Sequence, residues 1–476
     1  MNACAHTLNG LAAVEALGHR VAPERAFNAF ASRPHAFFLD SGVSDPRLGR
    51  YSFLGAEPLL VVSAKGREAS VREGGLERRL SGNPFQLLRD LLAEQGGRGG
   101  RGLRPHGAGA QVPFLGGFVG YLGYDLCHFV ERLPRTASDD IGLPDMHLAL
   151  YGRLAAYDHA VGRWYGVSLE GEEGIAEIDA MLARAEEAEP VSSGPASVGR
   201  LRANFARDEY LAAIGRAKEY IAAGDIFQVN LSQRFETELA VGPAELYRRL
   251  RRANPAPFAA YLAIDGEDAA VLSSSPERFL KVTGRHVETR PIKGTRPRGQ
   301  TPAEDARLAA ELAASPKDAA ELTMIVDLER NDLGRVCDYG SVAVTEHKAV
   351  EAYASVFHLV STVEGELHAG RDIVDLLKAT FPGGSITGAP KIRAMEIIDE
   401  LEPTQRSVYT GAVGYIGLDG TMDLNIAIRT ILVKGGRAFF QVGGGIVADS
   451  DPAAEYQETL DKGRRLFAAL GQSHEP

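Results

Sequence analysis

Cysteine is scarce in this chain: Cys4, Cys127 and Cys337 are the only three among 476 residues. They are odd in number, far apart and without CxxC spacing, which argues against a disulfide framework or a structural zinc site. No run approaches the roughly 18 apolar residues that span a bilayer. The opening MNACAHTLNGLAAVEALGHRVAPERAF lacks a charged segment followed by an apolar core, so no secretory signal is read. Basic residues are not in excess either. Lys+Arg number 52 against 63 Asp+Glu, a formal charge of -11, which argues against a general nucleic-acid binder or a polybasic membrane adaptor. No solenoid or propeller repeat is present, and neither a Walker A nor a GxGxxG loop supports nucleotide binding. The expected setting is reduced cytoplasm.

What is present is an ordinary globular composition, 45% hydrophobic and 24% charged. The length allows two to four domains at roughly 100–200 residues each. Residues 95–111, QGGRGGRGLRPHGAGAQ, read as a flexible loop; an RGG-type RNA contact would repeat and carry interleaved aromatics. Residues 186–200, EEAEPVSSGPASVGR, have no hydrophobic period and mark a boundary between an amino-terminal region, 1–190, and a second domain, 200–472. The first region reads as strand-rich, with strands predicted at 36–41 and 59–63 and strands or tight turns in 114–124. In the second, Tyr210, Ile214, Ala217 and Ile221 recur at helical spacing before Gly224, and Phe227, Val229, Leu231 and Phe235 then step by twos. Strands are predicted at 258–264, 270–274 and 279–282, helices at 302–314 and 317–337, then strands at 341–345 and 356–366. Helices at 371–380 and 389–401 precede strands at 410–417, 423–434 and 437–443 and a last helix at 453–470. Adjacent strands joined by hairpin-like turns predict an α+β fold with antiparallel sheets, not a doubly wound parallel one.

The segment ETRPIKGTRPRG, 288–299, sets Lys293 between a Pro-Ile pair and a glycine, with Arg290 and Arg296 three residues away on either side. In a partly dry pocket, desolvation and like charge would favour the neutral amine that a nucleophile requires; in water the same segment is a basic loop. Arg290, Arg296 and Arg298 also fit recognition of an anionic substrate, and spacing does not choose among these readings. Glu321 lies on a predicted helix. Glu455, Glu458 and Lys462 share one face of the last helix. Carboxylates from two helices facing one cavity can hold Mg²⁺, with water and substrate oxygens completing the shell. The alternative is a solvated Glu458–Lys462 ion pair, worth little. Glu277, in SSPERF, falls where one strand turns into the next, as a general acid or base or as a partner of Arg278. His358, inside a strand, is a hydrogen-bonded core residue or a catalyst. Gly443-Gly444-Gly445 and FPGGSITGAPK, 381–391, can present bare N–H groups to a carboxylate or phosphate. No cysteine sits in a nucleophile elbow, and adjacent Cys127 and His128 would face opposite ways on a strand.

Nine ordered blocks together resemble the chorismate-utilising enzymes: FQVNLSQRF, SSPERFL, RPIKGTRPRG, ELTMIVDLERNDLGRVC, SVFHLVSTVEGEL, FPGGSITGAPKIRAMEIIDELEP, YTGAVGYIG, NIAIRTI and QVGGGIVADSDPAAEYQET. The resemblance is strong over 205–470 and continues more weakly upstream through LDSG, GRYSFLG and GGFVGYLGYDL. It implies a large layered α/β/β/α sandwich of two mostly antiparallel sheets with helices on the outer faces. Within the family, anthranilate synthases typically carry alanine after the Pro-Ile pair and aminodeoxychorismate synthases carry lysine. Lys293 therefore resembles the second branch. There the lysine adds to C2 of chorismate as the C4 hydroxyl departs, and ammonia then displaces it through C4 to leave 4-amino-4-deoxychorismate.

Residue by residue, the resemblance implies Glu277 as general acid/base and His358 close to the departing hydroxyl. Glu321 and Glu458 would ligate Mg²⁺, supported by Glu455. Tyr409 and Arg429 would hold the enolpyruvyl carboxylate with N–H groups around Gly443 and Gly444, and Ser385 and Lys462 would complete substrate positioning. Leu39, Asp40, Ser41, Tyr51, Ser52 and Phe258 occupy places resembling the family's tryptophan pocket, or pack an ordinary core. Lacking a glutaminase cysteine, the chain would take ammonia from a separate glutamine amidotransferase subunit. The rival readings are anthranilate synthase component I and a non-catalytic tryptophan-sensing subunit. Isochorismate and salicylate synthases place a water-activating lysine on the strand that here supplies Gln228 and Asn230.

Overall fold

The computed structural model describes residues 11–43, 47–96, 104–107, 112–187, 194, 196–197, 199–264, 268–353 and 356–472. Most of the 95–111 segment, much of the 186–200 boundary and Cys4 lie outside the described residues. Two large sheets, of 13 and 12 strands, carry the fold. Phe37, Phe53, Leu262 and Val271 of the first sheet and Leu60, Val62, Phe118 and Leu148 of the second share one buried cluster, which is the layer between the sheets. The outer face of the first sheet is covered by the helices Pro23–Ala31, Glu172–Glu187, Pro243–Ala253 and Pro452–Ala469, through Phe27, Phe30, Trp164, Tyr247 and Phe467. The helices Pro302–Ala313, Pro316–Gly334 and Ile373–Thr380 bring Leu312, Leu322, Val326 and Leu377 into the core cluster on the side of the second sheet. This is the layered α+β arrangement that alternating apolar strands and amphipathic helices require. Among the described residues no helix is long and apolar enough to cross a membrane.

Strands from both sides of the 190–200 division enter each sheet: Phe258–Ile264 pairs with Phe37–Asp40, and Ala412–Gly417 with Gly117–Leu122, both antiparallel. The span 423–434 that reads as one strand is two. Met422–Ile426 lies in the second sheet and Thr430–Lys434 in the first, with Arg429 between them at φ 50°. Apolar residues recur on both sides of Arg429 and conceal the break, because both halves are largely buried. Cys127 and His128 sit on a 3₁₀ turn, Tyr124–Phe129, instead of a strand, and Cys127 and Cys337 are buried free thiols.

The basic segment around Lys293 is also ordered. Ile292–Pro297 is a strand paired with Val356–Glu366, and its register slips between Lys293 and Thr295. Gly294 occupies that bulge at φ 79°, where a Cβ would stand 2.9 Å from both Leu312 Cδ1 and Asp318 Cβ. A bulge of this kind re-aims the neighbouring side chain, and only glycine fits under the two helices pressing on it. Gly294→Ala is therefore expected to destabilise the protein by roughly 1–3 kcal/mol, read as a lowered melting temperature; an unchanged melting curve would show that the bulge is under no such constraint.

Candidate active site

Two chain segments pass from one sheet to the other side by side. The first runs from Ala269–Ser275 to Arg278–Thr283, the second from Met422–Ile426 to Thr430–Lys434, and they pair before and after the crossing at Ser273–Thr430 and Arg278–Asn425. Between those points Ser274 N donates to Arg429 O at 3.1 Å, Ile426 N to Glu277 O at 3.0 Å and Ser275 Oγ to Ile426 O at 2.6 Å. Glu277 and Arg429 thus sit at a stiff seam. Arg278, a conceivable partner for Glu277, is instead buried against Glu288 and Asp423. Glu277 is buried, and burial pushes its carboxyl up to about 7 against the opposing pull of Ser385, the Lys293 charge and the Ile292 N–H.

Lys293 Nζ donates to the Ser385 carbonyl at 3.0 Å. Burial pulls its pKa below the ordinary lysine value and the Lys462 charge adds to this, while Glu321, Glu277 and Glu458 oppose it. The like charge is Lys462, not the flanking arginines. Arg290 pairs with Glu346 and Glu351, Arg296 with Glu311 and Asp318, and Arg298 with Asp305. Each of the three already has a carboxylate partner in the fold. Arg429 differs: its Nη1 donates to Asn254 Oδ1 at 3.3 Å, and among the described residues no carboxylate pairs with it.

His358 is buried, and burial with the Arg429 charge pushes it down to about 3, so the ring is neutral. Its Nδ1 lies 3.0 Å from Thr295 Oγ1 and 3.5 Å from Gly294 O, and its Nε2 is buried without a partner. The Gly294 carbonyl can only accept, which assigns the proton to Nδ1 and leaves Nε2 a bare lone pair. Tyr409 is buried next to Arg406, whose guanidinium carbon is 5.7 Å from its ring. Arg406, in a buried pair with Glu402, donates to Ile386 O at 3.0 Å and so braces the Ser385 turn from behind.

Glu321 comes from the Pro316–Gly334 helix, and Glu455, Glu458 and Lys462 from Pro452–Ala469. Burial raises Glu321, with the Glu458 charge acting in the same direction, whereas Lys462 at 2.7 Å holds Glu458 below the usual carboxylate range. Lys462 also donates to Gly443 O at 3.0 Å, and Ser450 Oγ donates to Glu455 at 2.6 Å. A Cβ on Gly444 would stand 3.2 Å from Glu455 Oε2, 3.7 Å from Lys462 Nζ and 3.8 Å from Glu458 Oε1. The missing side chain leaves a recess where two carboxylates and an ammonium converge. Gly443 and Gly444 do not follow a strand but lie within Arg437–Ile446, paired on one edge with Gln228–Glu238. Pairing on the other edge stops at Phe440, so only that edge can offer N–H groups.

Among the described residues no three His, Cys, Asp or Glu side chains close a shell around an ion. The mutual repulsion of Glu321 and Glu458 and their all-oxygen donor set fit Mg²⁺, which takes one or two carboxylates and fills its octahedron with water and ligand oxygens. Pattern reading missed the acids Glu329 and Asp332. Both occupy the buried stripe of Leu322, Ile325, Val326 and Leu333 on one helix, and an acid at an apolar period is a signal the sequence contains.

A second cavity lies between the sheets and is lined by Leu39, Asp40, Tyr51 and Phe258, with Tyr415 and Asn425. Ser41 and Ser52 are not in its lining; Ser41 N donates to Ser52 Oγ at 3.0 Å. Asp40 is already paired with Arg251 and accepts from Tyr247 at 3.1 Å.

A family model described as chorismate binding enzyme matches residues 49–468. Aminodeoxychorismate synthase component 1 of Klebsiella aerogenes is 43% identical over 450 residues, covering 94% of this chain and 96% of that protein. Anthranilate synthase component 1 of Cereibacter sphaeroides is 41% identical over 457 residues, covering 92% and 89%. The crystal structure of anthranilate synthase component I from Streptococcus pneumoniae superposes with a TM-score of 0.75 at 34% identity, over 89% of this chain and 92% of that one. With its two crossed sheets and its seam of titratable groups, this chain belongs to the chorismate-binding enzyme family.

Proposed function

We propose that this enzyme converts chorismate and ammonia to 4-amino-4-deoxychorismate, the reaction class for which the Klebsiella relative is named. The supporting observation is one amine: Lys293, drawn toward neutrality by burial and held on the Ser385 carbonyl, where anthranilate synthases typically carry alanine. Ammonia would arrive from a separate glutamine amidotransferase subunit. The same reading assigns the cavity at Leu39, Asp40, Tyr51 and Phe258 to tryptophan.

Chorismate is a dianion, and each carboxylate needs its own cation in a partly dry site. Arg429, unpaired with any described carboxylate, would receive the enolpyruvyl carboxylate together with Tyr409 and the free edge at Gly443 and Gly444. Glu321 and Glu458, with Glu455 behind, would hold Mg²⁺, which when bound supplies positive charge against the ring carboxylate. Neutral Lys293 bonds to C2 while the ring double bonds shift and the C4–O bond breaks. Protonated Glu277 gives its proton to the departing oxygen, which leaves as water, and the bare Nε2 of His358 accepts a hydrogen bond from that hydroxyl. Ammonia then bonds to C4 and the C2–N bond breaks, restoring the Lys293 amine; the proton shed by the incoming nitrogen restores Glu277.

Glu277 acts as an acid only while protonated. Its raised value keeps the proton on below about 7, so the rate falls as pH rises through about 7. Lys293 acts only when neutral, so the rate climbs as pH rises through its lowered pKa. A bell-shaped profile of kcat/KM is expected, and a profile without the alkaline limb would remove Glu277 as the acid. Amination at C2 with loss of pyruvate is the rival, favoured by the Cereibacter relative, and it predicts an aromatic product from chorismate and ammonium salts.

Lys293→Ala is expected to abolish most amination at C4; near-normal turnover would refute the covalent step. Acid-quenched mixtures should carry an adduct on the Lys293 peptide by mass spectrometry, and an adduct on another residue would refute the assignment. Glu321→Gln or Glu458→Gln should raise the half-saturating Mg²⁺ concentration and the chorismate KM together, by about tenfold or more. An unchanged Mg²⁺ titration would exclude both as ligands.

A further inference from the structure

Behind the reacting face lies a carboxyl that the reaction does not consume. Glu329, on the Pro316–Gly334 helix, is 3% exposed. Its Oε1 accepts the Gly384 N–H at 3.3 Å and its Oε2 accepts the Thr289 hydroxyl at 3.3 Å. Thr289 belongs to the strand His286–Arg290, which continues through Pro291 into the strand bearing Lys293. Gly384 opens the short turn whose next residue, Ser385, takes Lys293 Nζ on its carbonyl and bonds Glu277 through its side chain. A single carboxyl therefore ties the strand that delivers the amine to the turn that receives it. At Gly384 the packing is close: a Cβ there would meet Leu328 Cδ2 at 2.7 Å and Glu329 Oε1 at 3.3 Å.

The charges facing Glu329 come from three elements. Asp332, on the same helix, and Glu277, beyond the turn, both disfavour its ionisation, while Lys391 of the Lys391–Leu401 helix favours it. Lys391 is itself bound to Asp332. Burial is the largest effect and brings the carboxyl up to about 7.

We propose that Glu329 is a positioning residue of the reaction: it clamps the Ser385 turn to the Lys293 strand, so that the Ser385 carbonyl and hydroxyl meet Lys293 and Glu277 in one fixed arrangement. Its charge has a consequence of definite sign. An ionised Glu329 near Glu277 strengthens the hold of Glu277 on its proton, and a neutral replacement weakens it. The inference rests on the proposed reading of Lys293 and Glu277 as the reacting groups.

The test is steady-state chorismate consumption by the full-length enzyme with ammonium chloride and Mg²⁺, followed across pH, with melting temperatures recorded alongside. Wild-type product identity reports on the C4 reading; the Glu329 variants report on this one. Glu329→Gln keeps the shape and removes the charge, and should move the alkaline limb to lower pH while retaining turnover on the acid side. Glu329→Ala releases the turn and should lower kcat by about 10–100-fold with KM little changed. Thr289→Val, which removes one anchor at nearly constant volume, should lower kcat in the same direction by less. Lowered melting temperatures with wild-type kcat and an unmoved pH profile in all three variants would make the clamp merely structural and overturn the proposal.

Discussion

The site depends on two strands changing sheets together. A chain that leaves a sheet in a buried layer exposes N–H and C=O groups that must find partners. Here the two crossing segments supply them to each other, through Ser274 with Arg429, Glu277 with Ile426 and the Ser275 hydroxyl with Ile426. Asn425 Nδ2 adds bonds to Phe258 O at 2.8 Å and Ser273 Oγ at 3.3 Å, and Thr430 Oγ1 one to Ser273 Oγ at 2.9 Å. The left-handed backbone of Arg429 is sustained by that network, as strained positions at functional sites generally are. One acid and one cation are thereby fixed between the sheets, within reach of side chains carried by both.

Charge is distributed by the same economy of partners. Arg278, Arg290, Arg296, Arg298 and Arg406 each sit against carboxylates that offset their charge. Among the described residues, Lys293 and Arg429 are lysine and arginine side chains in which burial outweighs the charges that favour protonation. A buried ion with an incomplete partner set is unfavourable in the resting protein. That unfavourable state is relieved when an anion arrives. A chain of net charge -11 can thus take up an anion through buried cations.

The sequence pattern located most elements because apolar period and turn chemistry agree along the second half. The helix Arg207–Ala222 ends just before Gly224 at φ 83°, as the spacing predicts. It failed where both faces of an element are buried: the break at Ala427–Arg429 carries Arg429, yet Ile426 and Ala427 are as buried as the strands they join, so the apolar pattern reads through it. The motif segments placed Lys293, Glu277, His358, Glu321 and Glu458 in one neighbourhood. They could not say which cation disturbs Lys293, because Lys462 lies far along the chain and comes near only through folding. Glu329 escaped because its partners, Thr289 and Gly384, are distant in sequence, although its place on an apolar stripe was visible.

The near-equal likeness to relatives of two names follows from the same physics. On the proposed reading, fold, crossings, acidic recess and Arg429 serve chorismate binding whichever carbon is aminated, so they carry no information on the product. On the same reading, the choice falls on what occupies position 293. An alanine there would leave the Ser385 carbonyl without its donor and Glu277 without the nearby positive charge that lowers its pKa. Lysine fills both needs and, on the proposed reading, adds a nucleophile. One such difference would leave overall identity almost untouched, and the two relatives stand at 43% and 41%.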